Sequence, residues 1–402
     1  MNIAILTDSF PPMIDGVSRC ALGYASALHE GNYGNCIVIA PEMPKVEYEY
    51  PFPIYTYKSL RLPYAEYRAG HPFTPRLIAR LKALNIDILH VHSPFLSMTV
   101  ARQLRRFLNI PIVFTQHTKW GFDIACAVSN KALRKMVEVY AYNNIDAADE
   151  VWAVSRGAGE YLRSQGYKGE FKVMPNGTDF PSCEPDSSLT LEINSRFDLP
   201  GDVPVFLFVG RMMWYKNIRL IIEALGILRR RSIDFRMLFV GEGDDLADII
   251  TLTEDEGLSD AVFFAGKISN RELLRAYFSR CDLFVFPSVY DNAPLVIKEA
   301  AACSCPSVVV RGSSASEILE DGVSGFFADE SAQSIADAVL DALSDRERLE
   351  RVSEAAFEQV YVTWDKVIQE SAARYEVVKA AFDRSYAGRA KPAKSYRKVS
   401  LL

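Results

Sequence analysis

The chain has 402 residues, with 45 Lys+Arg against 51 Asp+Glu and a formal net charge of −6. That length fits two or three domains with substantial cores, and the acidic balance argues against a whole-molecule nucleic-acid binder. With 49% apolar and 24% charged residues the chain is not of the disordered class, and no apolar run exceeds five residues, so no bilayer-spanning helix is expected.

Short β-branched and aromatic runs alternate with longer stretches of helical period. The first series is Ile3–Leu6, Cys36–Ala40, Ile88–Val91, Ile112–Thr115, Val151–Val154 and Lys172–Met174. Residues 181–202, rich in Pro, Ser and Asp with little periodicity, read as a linker. A second series follows: Val205–Val209, Met237–Val240, Val262–Ala265, Leu283–Phe286, Ser307–Val310 and Gly325–Ala328. Asn217–Arg230 carries Ile218, Ile221, Ile222, Leu225 and Leu228 on one helical stripe. Strands this short and apolar, separated by helices, predict parallel sheets covered on both faces. The expected fold is α/β, with two doubly wound domains over 1–180 and 203–364 facing a cleft. A helix within 365–385 is expected to complete the first, and 386–402 to be a basic, mobile tail.

Charge is uneven along the chain. Residues 1–180 carry 19 basic and 16 acidic side chains, the remainder 26 and 35. The opening Met1–Asp8 lacks the basic n-region of a signal peptide, and seven cysteines are scattered with no CxxC pair. Both features point to a reducing cytoplasm.

Three segments carry candidate chemistry. Gly16 follows the first strand and opens a helix, where free N–H groups favour an anion. Arg211 and Lys216 stand on the loop after Val205–Val209, where two cations and a helix start suit a diphosphate. Asp291 and Glu299 stand eight residues apart, the first in a loop after a strand and the second inside the next helix. Carboxylates there accept hydrogen bonds from sugar or ribose hydroxyls. His90, His92 and His117 end two predicted strands and are expected to point into the cleft. The His-x-His spacing lacks a third nearby ligand, so no metal site is assigned. No Gly-x-Gly-x-x-Gly follows the first strand, which disfavours a dinucleotide-dependent dehydrogenase.

The run Phe286-Pro287-Ser288 through Asp291, then Glu299-Ala300-Ala301-Ala302 and Cys305-Pro306-Ser307, resembles the family-4 retaining glycosyltransferases. Gly210-Arg211 with Lys216-Asn217, Gly241-Glu242-Gly243, Pro175-Asn176-Gly177, Ser316-Glu317-Ile318 and Asp321-Gly322 are similar to the same family in the same order. The resemblance implies a GT-B fold and transfer of a hexose from a nucleoside diphosphate sugar, taken as UDP-linked, with no metal or other cofactor required. It implies that Glu299 binds ribose, Asp291 the donor sugar, and Arg211 and Lys216 the leaving diphosphate. Backbone groups of Asn292, Ala293, Pro294 and Leu295 would meet sugar and diphosphate, Gly16 would close on the phosphate, and Ile268 would read the base. His117 would stand beside the anomeric centre. Two departures bear on this: the first acid is Asp where the family usually has Glu, and Pro294 takes a common glycine position without an N–H.

Two basic segments, Ala101–Leu108 and Asn130–Val137, have the amphipathic character of helices that rest on anionic lipid. With His92-Ser93-Pro94-Phe95 and Gln116-His117-Thr118, the chain also resembles diacylglycerol glucosyltransferases and phosphatidylinositol mannosyltransferases. A glycerolipid acceptor and peripheral contact with the inner face of the membrane are therefore the leading expectation. A soluble or polysaccharide acceptor, a sugar epimerase and a silent nucleotide-sugar-binding protein remain as alternatives.

Overall fold

Two parallel sheets organise the computed structural model, which describes residues 1–13, 15–43, 49–61, 68–70, 75–182 and 185–387. The first sheet is built from β1 (Asn2–Leu6), β2 (Asn35–Pro41), β3 (Ile54–Tyr57), β6 (Ile88–Val91), β7 (Ile112–Gln116), β8 (Glu150–Ala153) and β9 (Phe171–Val173). A short antiparallel pair, β4 (Ser59–Arg61) and β5 (Arg68–Gly70), lies between β3 and β6 in sequence. The second sheet comprises β10 (Val205–Val209), β11 (Arg236–Val240), β12 (Val262–Gly266), β13 (Leu283–Phe286), β14 (Ser307–Val310) and β15 (Phe326–Ala328). Strand orders are β3-β2-β1-β6-β7-β8-β9 and β12-β11-β10-β13-β14-β15. In each sheet the order reverses beside the first strand, which opens a crevice at the carboxyl ends of β1 and β6 and of β10 and β13.

Burial explains why these runs form strands. All residues of β10 and β13 are buried, as are Ile3 to Leu6 of β1, so both faces of each sheet are covered by helices. Each fully buried Phe, such as Phe206, Phe208 or Phe239, contributes roughly 2–3 kcal/mol of hydrophobic stabilisation.

Two differences from the sequence reading are local. β3, preceded by Pro51 and Pro53, was not among the expected strands, so the first sheet has seven strands rather than six. Ser187–Phe197 inside the expected linker is a helix capped by Asp186, with Ile193 and Phe197 packed into the second core. An i,i+4 apolar pair suffices to dock a short helix when the rest of its surface is polar.

The final helix, Trp364–Ala387, returns to the first lobe: Trp364, Val367, Ile368, Tyr375 and Val378 join the core of β1 and its neighbours. Gly23 makes room for it, since a Cβ there would sit 2.2 Å from the Trp364 ring. The crossing is stitched by Thr178 N–H donating to Val362 O at 2.8 Å. The expected tail lies outside the described residues from 388 on.

Candidate active site

The carboxyl-end loops of the two sheets meet. The first helix, Gly16–Glu30, starts after β1 and is capped by Asp15, whose carboxylate accepts from Ser18 N at 2.8 Å. A Cβ on Gly16 would meet nothing within 4 Å, so open space adjoins this helix start. Opposite, the loop after β10 is packed on the loop after β11: Met212 N–H donates to Glu242 O at 3.0 Å. Gly241, at φ +143°, is obligatory there, because a Cβ would fall 1.8 Å from Gly210 O.

On this platform the two predicted acids each hold a cation. Lys216, 7% exposed, places Nζ 2.6 and 2.7 Å from the two oxygens of Asp291. Ser288 Oγ donates to the same carboxylate at 2.6 Å. Burial alone would raise the Asp291 pKa, but Lys216, Ser288 and the nearby Arg211 charge overcome it and hold the carboxylate below its ordinary range. Lys216, expected at the phosphate, and Asp291, expected at the sugar, are bound to each other in this structure, a pairing not anticipated from sequence. Arg211 is exposed and lies 5.8 Å from the Tyr215 ring centre.

Glu299, 3% exposed, accepts from Arg271 at 2.7 Å rather than presenting an unpaired carboxylate. Arg271 also binds Asp179 through Nε at 2.9 Å and packs 4.3 Å over Phe180. Arg271 was missed from sequence; its position in the first turn after the Asn270 cap looks like any solvated helix start. Burial opposes its charge, yet Glu299 and Asp179 leave its pKa raised. Arg19, on the first helix, feels the Arg271, Glu299 and Asp179 charges, so the first lobe brings a second guanidinium to this end of the crevice.

The segment between the acids also contacts the first lobe. Asn292 turns toward the first lobe: its amide donates to His117 O at 3.0 Å and its carbonyl accepts from Ser155 Oγ at 2.7 Å. Ala293 packs on Ala153, Val154 and Ala158, and Leu295 on the first core. These contacts occupy the Asn292 side chain and carbonyl and the Ala293 and Leu295 side chains. Pro294 caps the helix Leu295–Ala302, at whose first turn no acceptor is described for the Leu295 and Val296 N–H groups. Ile268 sits past the end of β12, half-buried against the second core.

The histidines form a stack rather than a fan into the cleft. His90 is fully buried and bonds Thr115 Oγ1 and the Tyr375 hydroxyl, each at 2.6 Å, so it serves the core under the last helix. His92 lies between the others, with Nδ1 2.8 Å from His117 Nε2. Its own Nε2 is buried without a described partner. Only His117 reaches the crevice, half-buried. Burial lowers its pKa to about 3, and holds His90 and His92 well below the ordinary histidine range. At neutral pH all three are uncharged hydrogen-bonding groups. Among the described residues no three His, Cys, Asp or Glu side chains are grouped to hold a metal ion.

Two further bridges join the lobes, neither assigned a role from sequence. Lys119 Nζ donates to Val289 O at 3.1 Å. Glu317 accepts from Arg156 N and Gly157 N at 2.8 and 2.7 Å, placing a carboxylate on the start of the helix Arg156–Ser164.

Comparison with known proteins agrees with this architecture. Residues 14–180 match the family described as Glycosyltransferase Family 4, and residues 191–359 match Glycosyl transferases group 1. A GDP-mannose-dependent alpha-mannosyltransferase of Corynebacterium glutamicum is 27% identical over 335 residues, covering 82% of this chain and 77% of the relative. An alpha-monoglucosyldiacylglycerol synthase of Streptococcus pneumoniae is 21% identical, covering 85% of this chain and 78% of the relative. Anabaena HepE, solved in complex with UDP and glucose, superposes with a TM-score of 0.72 at 18% identity over 93% of this chain and 99% of its own. That likeness fixes the fold: two Rossmann-like lobes in the GT-B arrangement.

Proposed function

Because this chain belongs to the family-4 and group-1 glycosyltransferases, taking sugar from a nucleotide sugar, we propose that its donor is a UDP-hexose and its acceptor a membrane glycerolipid hydroxyl, with retention of configuration. The observation that carries the reading is the row of groups at the crevice: Lys216–Asp291, then the open start of Leu295–Ala302, then Glu299–Arg271. A nucleoside diphosphate sugar has the same sequence of parts: sugar, diphosphate, ribose.

In this reading the Glu299 carboxylate, oriented by Arg271, accepts ribose hydroxyls. The diphosphate lies along the N–H groups of Leu295 and Val296 and faces the start of Gly16–Glu30, with Arg211 adding positive charge. Asp291, held by Lys216 and Ser288, accepts donor-sugar hydroxyls. The acceptor oxygen bonds to the anomeric carbon as the bond to the β-phosphate oxygen breaks, and the hydroxyl proton leaves with the nucleoside diphosphate. His117, neutral at working pH, adds no repulsion to the positive character developing on the sugar ring.

The lipid acceptor is supported by the helix Lys131–Ile145. Leu133, Met136, Val139 and Tyr140 are exposed along it, Met136 by 68%, beside exposed Lys131 and Lys135. The other basic segment supports it less, because Arg102 bonds Asn144 and Arg105 bonds Asp149, leaving Arg106 exposed. No described helix is long and apolar enough to cross a membrane.

The test is a thermal-shift panel of UDP- and GDP-hexoses, followed by transfer to 1,2-dioctanoylglycerol and NMR of the product anomer. Stabilisation by UDP-glucose and an α-linked product support the proposal. Selective use of GDP-mannose would replace the donor, and transfer only to soluble saccharides would replace the acceptor.

A further inference from the structure

Arg19 carries no role in the donor reading, yet it stands beside the donor site. It lies one turn into the helix Gly16–Glu30, three residues beyond Gly16 and so on the same side of that helix. The helix faces the start of Leu295–Ala302 across the crevice, where Leu295 packs on the core cluster that holds Cys20 and Tyr24. The Arg19 guanidinium is half-buried and makes no hydrogen bond or ion pair with any described residue. Arginine nitrogens that are both buried and unpartnered occur on Arg134, Arg271 and Arg275, so those of Arg19 remain open to solvent.

The charges around it are unevenly committed. Arg271 donates to Glu299 at 2.7 Å and, through Nε, to Asp179 at 2.9 Å. Arg19 feels the same two acids without an ion pair to either. Burial and the Arg271 charge lower its pKa, and the acids offset that only in part, so Arg19 enters the crevice as a cation facing another cation. An anion placed between two guanidiniums turns their repulsion into attraction. A phosphate does so with the added fit of the planar guanidinium fork.

We propose that Arg19 is a donor-binding residue of the first lobe, contacting the α-phosphate of the nucleoside diphosphate across the crevice from Arg271. The inference rests on the transferase reading and deepens it. In that reading the β-phosphate meets the Leu295 and Val296 N–H groups and the ribose meets Glu299. The α-phosphate falls between them, and Arg19 enters from the opposite lobe at the Glu299 end of that row.

Calorimetric titration of the full chain with UDP and UMP tests this, with uridine measured by competition against UDP. GDP, GMP and guanosine replace them if the donor panel returns a guanine nucleotide. Arg19→Gln is expected to raise the Kd of both nucleotides about tenfold, the worth of one charge-assisted hydrogen bond, and to leave that of the nucleoside unchanged. Arg19→Lys, which keeps the charge without the fork, should show a smaller loss in the same two ligands, and it is the variant read if Arg19→Gln does not fold. Unchanged Kd values, an equal loss for the nucleoside, or a loss confined to the diphosphate overturns the inference. If the wild type binds the nucleotides and the variants match it, this inference alone falls; if the wild type binds none of them, the transferase reading falls with it.

Discussion

The two lobes bring opposite kinds of chemistry to one crevice. The second lobe supplies charge in pairs with one partner buried and the other half-buried, Lys216–Asp291 and Arg271–Glu299. The first lobe supplies chiefly neutral groups: the His117 imidazole backed by His92, the start of Gly16–Glu30 and the hydroxyl of Ser155. A buried carboxylate persists only with a cation and hydrogen bonds around it, which ties the acids to their partners within one lobe. A neutral hydrogen-bonding surface can meet and leave its ligand without stranding a charge. The second lobe thus holds its site charges in fixed pairs, and the first meets them with uncharged groups.

The sharpest way to break that contrast is to orphan an acid. Lys216→Ala leaves the half-buried Asp291 carboxylate with Ser288 but without its cation, an expected loss of about 1–3 kcal/mol, read as a fall in denaturant midpoint. Lys216→Met combined with Asp291→Asn should recover much of it. Equal stability of Lys216→Ala and wild type would show that the pair is not desolvated.

Acidification is the next test, because it strikes the neutral side. His90 and His92 have folded pKa values depressed below the ordinary value near 6.5. The unfolded chain therefore takes up protons first, and stability is retained above about pH 6.5 and lost as pH falls below it, by about 1.4 kcal/mol per unit for each histidine. A stability curve flat from pH 7 to pH 5 would contradict the buried, neutral stack. By the same reasoning, kcat between pH 6 and 8 should show no inflection from His117, and His117→Ala should lower kcat more than it raises donor KM.

Arg271→Gln probes the positioning of Glu299. It should raise the donor Kd about tenfold, the worth of a charge-assisted hydrogen bond, and leave the acceptor KM unchanged. Ser155→Ala should cost least, about 1 kcal/mol, through its helix cap to Ala158 N and its bond to Asn292 O. An effect confined to stability, with kcat and KM intact, would show that the interlobe bond is structural only.

Much of this was legible in the sequence. Every strand of the second sheet was anticipated, because runs such as Val205–Val209 and Leu283–Phe286 are buried on both faces and read as unbroken apolar stretches. β3 was not, since its half-exposed Ile54 and Tyr55 lie behind two prolines. The acids and cations of the site were picked out singly, but their pairing was invisible: Lys216 and Asp291 are 75 residues apart, Arg271 and Glu299 28 apart. The histidine stack failed for a related reason. Strand alternation puts His90 and His92 on one side of the sheet, but only tertiary packing shows that Tyr375 covers His90.

The most direct measurement of the central claim is a crystal structure of the chain with a nucleoside diphosphate. The account predicts density bridging the lobes, with ribose on Glu299 and the β-phosphate within hydrogen-bond distance of the Leu295 and Val296 N–H groups. A nucleotide bound away from both, with Lys216–Asp291 and Arg271–Glu299 untouched, would contradict it.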